Sequence, residues 1–464
     1  MTTMAHGHPE PGLVERAIRL SYAQMMLGAV FGASTGGMFL IGFAMQLGAN
    51  DVLLGLLSSV PPFFAVFQFL PAYLIERGWS RKTLTVWSGF ITPLCWFGIA
   101  TIPFLAARLD ALGRIGVLIG VIVLVTISAQ VAGNARGSWI GELIPESRRG
   151  RFFGNCTLFG GIVGAVFAIA EGRFLDFIQS RGLVAFTALF FFGALFGLAA
   201  TALHLPQPDC MLPRRETRPH FFSVVRDILK NRPLCMLAIA HAVLAMSSIA
   251  GPFFSAYCLR DLGMSYFGLG CVNAVSTAAV LIASPLAGRL VDRYGSRPIM
   301  ILGLLLMAPT GLAWIFIPPG RADLAYHIMP FTSFIGGVGG GAIGVAFTTL
   351  VYRLTVTETR AVQFATYGVF VTLAGAPMPF IGGWLVHGLQ GAGFSVDLRL
   401  TFYVWIVFVA LSAWIAKFVR EPGSMSTRKL VFCCFPQWIN GLFGSSPAVP
   451  PSDVPGGDDG TRND

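Results

Sequence analysis

Arg136 is the side chain in this sequence that most needs a chemical partner. It interrupts an apolar stretch six residues before Glu142, and the Gly-Ser-Trp-Ile run between them does not read as a loop. A guanidinium keeps its proton, and placing one at a bilayer centre costs roughly 2.5–3.5 kcal/mol, so it must face an anion or a wet cavity. Arg136 could attract a solute bearing a negative group or act as a charge gate. It could equally snorkel to the membrane surface and pair with Glu142 or a lipid phosphate. His241 could titrate between roughly pH 5 and 8 and carry a proton, or simply hydrogen-bond within the packing. Gln24, Ser34, Gln130, Asn134, Asn273 and Tyr367 can bond a solute, although interhelical hydrogen bonds use the same residue types. With Arg136 and His241 they form the candidate solute-binding set.

The acids are informative by position. None of the 22 Asp and Glu residues falls in the middle third of any apolar span: Glu171 and Asp176 lie towards the outer end of the fifth, Glu142 towards the inner end of the fourth. A buried carboxylate is the commonest proton-coupling group. Simple proton symport is therefore not signalled, and protons remain a candidate partner through His241. There is no metal-ligand cluster, Walker loop or nucleophile elbow, so no metal, cofactor, ATP-driven step or enzyme activity is expected. The eight cysteines include no CxxC pair and sit mostly in spans, as small hydrophobes do. Cys433 and Cys434, among Phe432, Phe435 and Trp438, could rest on the membrane or bear a lipid.

The elements holding these residues follow from composition. Of 464 residues 55% are hydrophobic and 12% charged, with a mean hydropathy of +0.70; a soluble domain carries about twice that charge. Apolar blocks such as 183–202 and 402–416 match the roughly 20 residues needed to cross a hydrocarbon core, where the backbone must satisfy itself as helix. We read an all-α membrane protein of twelve transmembrane helices, at 18–46, 52–75, 83–107, 114–140, 152–175, 182–204, 234–259, 265–288, 298–318, 324–352, 362–388 and 400–419. Residues 1–17 form an N-terminal tail, 18–205 a first six-helix bundle, 206–232 a linker, 233–420 a second bundle and 421–464 a tail expected to be flexible. With the tails and linker in the cytoplasm, all but seven of the 32 Lys and Arg residues fall inside. That asymmetry obeys the positive-inside rule, so the net charge of +10 needs no nucleic acid to explain it.

The halves repeat one another. Leu47, Gly48, Leu54 and Gly55 align with Leu262, Gly263, Leu269 and Gly270; the Glu76–Lys82 loop aligns with Asp292–Pro298, and Glu146–Arg151 with Thr357–Val362. In the second loop alignment Trp79 falls where the second half has the turn glycine, Gly295. Gly28, Gly32 and Gly36, like Gly336, Gly340 and Gly344, recur every four residues and would let a neighbouring helix approach closely. Pro61, Pro62, Pro252, Pro377 and Pro379 are candidate kinks.

The stretch Gly288-Arg-Leu-Val-Asp-Arg-Tyr-Gly-Ser-Arg297 resembles the signature loop of the major facilitator superfamily, and Glu142, Pro145, Arg149 and Gly150 resemble its loop after the fourth helix. The resemblance covers residues 18–419 and implies two parallel six-helix repeats with solute bound between them. It also implies a conformational latch: Gly288, Asp292, Arg293, Gly295 and Arg297 in the second half, and a poorer copy at Glu76, Arg77 and Arg81 in the first. The paired glutamines of sugar porters and the Gly-Pro motif of drug antiporters are missing from the seventh and fifth spans. The expected function is alternating-access movement of a small organic solute by a monomer in a bacterial inner membrane, in contact with lipid. A transport-inactive receptor or scaffold of the same fold is the second class.

Overall fold

The computed structural model describes residues 11–209, 231–355, 360–394, 396–421, 423–427 and 430; the side chains of Glu76 and Glu142 lie outside the described set. So do most of the 206–232 linker, the Thr357–Thr359 part of the third repeat and the Cys433–Cys434 segment. Twelve helices are long and apolar enough to span a membrane. We number them α1 (Gly12–Gln46), α2 (Asp51–Ile75), α3 (Arg81–Leu105), α4 (Ala111–Gly141), α5 (Glu146–Phe177) and α6 (Leu183–Ala202). The second six are α7 (Arg232–Asp261), α8 (Tyr266–Tyr294), α9 (Ser296–Phe316), α10 (Ala322–Leu354), α11 (Gln363–Gly391) and α12 (Arg399–Ala416). The first helix starts at Pro11, so it absorbs part of the stretch read as a tail.

Local chemistry sets the ends. The side chains of Asn50, Ser80, Asp110, Asn231 and Ser265 each accept from an amide of the helix they precede, at α2, α3, α4, α7 and α8. The prolines fall at interruptions. Phe64–Phe69 tightens to a 3-10 helix just after Pro61 and Pro62, α7 does so at Ser247–Ala250 ahead of Pro252, and α11 breaks beside Pro377.

Each half carries an aromatic core. Phe43, Trp96, Phe186 and Phe190 interlock in the first, and Phe254, Tyr257, Trp314 and Phe402 in the second. The expected glycine rows do not make the packed faces: a Cβ on Gly32, Gly340 or Gly344 would meet open space. Neighbouring glycines pack instead. Gly337 and Gly341 abut the backbone of α8, and Gly339 abuts Gly303 of α9. A helix turns 100° per residue, so moving one position along transfers contact to another face.

Candidate functional site

The halves meet along two seams, α5 with α8 and α2 with α11. At the first, Gly172 lies against the backbone of Tyr266 and Gly270 against that of Ala168; at the second, Gly55 lies against Pro379 and Gly383 against Asp51. The repeat glycines Gly55 and Gly270 thus do the same work in opposite halves, since only a residue without a Cβ admits a backbone this close. Polar ties reinforce this end. Arg260 pairs with Asp51 at 2.8 Å, the Phe380 amide donates to Ser59 at 3.1 Å, and Asp176 accepts from the first amides of α8.

The seams part towards the other end. Gly161 still touches Leu281, but a Cβ on Gly154 or Gly288 would meet nothing, and the same holds at Gly368 of α11. The halves are therefore closed at the Asp51–Asp176 end and splayed at the end bearing the 76–82 and 292–298 loops. Alternating access needs this shape, because a site between the halves then communicates with one side only.

The candidate binding residues divide. Asn134 and Asn273 are exposed, the latter donating to the sulfur of Met38 at 3.8 Å. Gln130 is partly exposed, its carbonyl accepting from Asn134, and Gln24 has a buried Oε1 with no partner. His241 bonds Tyr367 at 2.8 Å and stacks on Phe347, a packing arrangement for both residues. Ser34 is buried and spans Val30 and Glu171.

Arg136 lies five residues from the end of α4, on the splayed side. It makes no ion pair or hydrogen bond among the described residues, and its Nε is buried without a partner. Cys156 of α5 and His204, just beyond α6, are its neighbours. The His204 ring packs by Trp139, whose indole N–H donates to the Pro208 carbonyl. Burial, with Arg136 second, pushes His204 down to about 4, leaving it neutral.

The loop residues are arranged differently from the expected latch. The 292–298 loop is tied by Glu421, which accepts from the amides of Ser296 (3.0 Å) and Arg297 (2.7 Å) and pairs with Arg353 (2.7 Å). Arg297 also donates to the Lys417 carbonyl. Asp292 is exposed with no bond among the described residues, Arg293 lies over Tyr294, and Gly288 faces open space. Gly295 turns at φ +95° and its first-half counterpart is Gly78 at φ +97°, one residue before the expected Trp79 position. Arg77 covers the Tyr73 ring, and Arg81 opens α3. Pro145 precedes α5, Arg149 donates to the Ile144 carbonyl, and Gly150 sits in the first turns of α5. Glu421 follows the last helix in a segment with no repeat partner, so nothing local in sequence marked it.

The family model described as Major Facilitator Superfamily matches residues 236–431, most of the second half. Over those residues the chain is similar to the major facilitator superfamily. Similarity to known proteins extends over both halves. The multidrug resistance protein MdtG of Salmonella heidelberg is 22% identical over 395 residues, 78% of this chain and 93% of that protein. MdtG of Salmonella dublin is 24% identical over 333 residues, 65% and 80%. Among solved structures, a D-xylose–proton symporter aligns with a TM-score of 0.67 at 15% identity, covering 89% of this chain and 99% of its own. An inward-facing bacterial homologue of the lysosomal transporter Spinster aligns at 0.63 and 15%, covering 91% and 98%. Facilitator architecture is what these likenesses show.

Proposed function

We propose that this protein moves a small organic solute bearing a negative group by alternating access in a bacterial inner membrane, with the termini and the splayed end cytoplasmic. The observation that carries the reading is Arg136, a guanidinium without a carboxylate partner among the described residues, beside a neutral His204 on the splayed side. A buried cation left uncompensated is costly, and an incoming anion removes that cost. Asn134 and Asn273 supply neutral bonds on either half. The positive-inside bias supports the orientation, and relatives named for multidrug resistance support an organic cargo.

The test is binding and flux of acidic metabolites in proteoliposomes. Arg136→Lys keeps the charge and loses the two-pronged fork, so affinity falls; Arg136→Ala abolishes binding, and Glu142→Gln is far milder. Normal transport by Arg136→Ala, or equal damage from Glu142→Gln, would make the guanidinium a membrane-surface anchor instead.

A further inference from the structure

Glu171 of α5 sits at the closed end and is 5% exposed. Its Oε1 lies 2.5 Å from the Ser34 hydroxyl of α1, and its Oε2 is buried with no partner. Ser34 is also 2.9 Å from the Val30 carbonyl. A hydroxyl has one proton and can donate only once. A carbonyl donates nothing, so both contacts are hydrogen bonds only if Glu171 is the neutral acid, donating to Ser34, which donates to Val30. An ionised Glu171 would be a buried charge with one neutral donor and no cation, which costs several kcal/mol.

The surroundings offer no compensation. On the facing part of α1 there is no charged group; Glu15, Arg16, Arg19 and Tyr22 lie at its far end, and α6 contains no titratable residue. From α8 come Tyr266 and Cys271, while Arg289, Asp292 and Arg293 lie at its other end. On its own helix Arg173 lies over the Phe267 ring and Asp176 is engaged with the α8 amides; Arg181 follows in the connecting turn. The next residue, Gly172, touches Tyr266 across the seam. Opening that seam would admit water to Glu171.

We propose that Glu171 is a proton-binding site coupled to the closed gate, neutral while α5 lies against α1 and α8, and ionised when the seam opens. The proton passes to water entering at that end and returns from the same side before closure, so protonation sets the gate's equilibrium without carrying a proton across. Acid conditions then favour the closed arrangement and alkaline conditions the open one. This rests on the alternating-access reading for its gate but needs no knowledge of the solute.

The test uses the full chain in lipid nanodiscs, with spin labels at the exposed positions Leu109 and Pro319 in the two halves. In the wild type the short-distance population should shrink as pH rises. Glu171→Gln, a mimic of the neutral acid, should hold the short distance at every pH. A pH-independent wild type, or a Glu171→Gln variant with the wild-type midpoint, overturns the proposal. Infrared spectroscopy gives a second readout that survives a misfolded Gln variant. The closed state at neutral pH should show a carboxylic-acid carbonyl band that Ser34→Ala shifts in frequency; no band, or one unmoved by Ser34→Ala, overturns it. Both measurements omit solute, so a failed flux assay would sink the transport reading and leave this one standing.

Discussion

Asp176 caps a helix in the opposite half: its two carboxylate oxygens accept from the amides of Tyr266 and Phe267, each at 2.9 Å. The first turn of α8 has free N–H groups and a partial positive charge, so an acid from α5 satisfies both. The bonds cross between rigid bodies and must break when this end opens. Asp176→Ala should therefore cost the closed gate about 1 kcal/mol, a typical cap loss, and raise the open population about fivefold. Distances between labels at Leu109 and Pro319 would report it.

Gly383→Ala should act in the same direction through sterics. A Cβ there would strike the backbone of Asp51, and backbone cannot swing aside as a side chain can. The closed state should be lost more completely than in Asp176→Ala, with slowed turnover. A control at Gly388, where a Cβ would meet open space, should be silent.

Glu421→Gln should destabilise the second half. Three bonds converge on this 9%-exposed carboxylate, and charge-assisted bonds contribute about 1.5–3 kcal/mol each. A lower unfolding midpoint in detergent is expected. Asp292→Asn, at an exposed acid, should leave that midpoint unchanged; reduced uptake by it would place its role in the opposite conformation.

His204 should make the fold acid-sensitive. Its value falls from 6.5 to about 4 through burial first and Arg136 second. The unfolded chain binds more protons across that window, so stability is lost as pH drops from 6.5 towards 4. His204→Gln should flatten the dependence of the unfolding midpoint over the same range.

The twelve spans were legible in sequence because a bilayer imposes one requirement, about 20 self-satisfied apolar residues, and meeting it is a property of contiguous chain. The repeat was legible too: Gly55 and Gly270 align as letters and do the same job in space. Turn chemistry was legible to within a residue, as the displacement from Trp79 to Gly78 shows.

What tertiary structure decided were the pairings between distant segments. Glu171 read as an end-of-span acid until Ser34, 137 residues away, was placed beside it. Glu421 read as the start of a tail until the 292–298 loop folded onto it. His241 read as either a proton carrier or a hydrogen-bonded packing residue, and only the fold placed Tyr367 on its ring nitrogen. Helical periodicity tells which residues share a face but not which face meets which, because in lipid every apolar face is acceptable and the choice rests on shape and on a few buried polar partners.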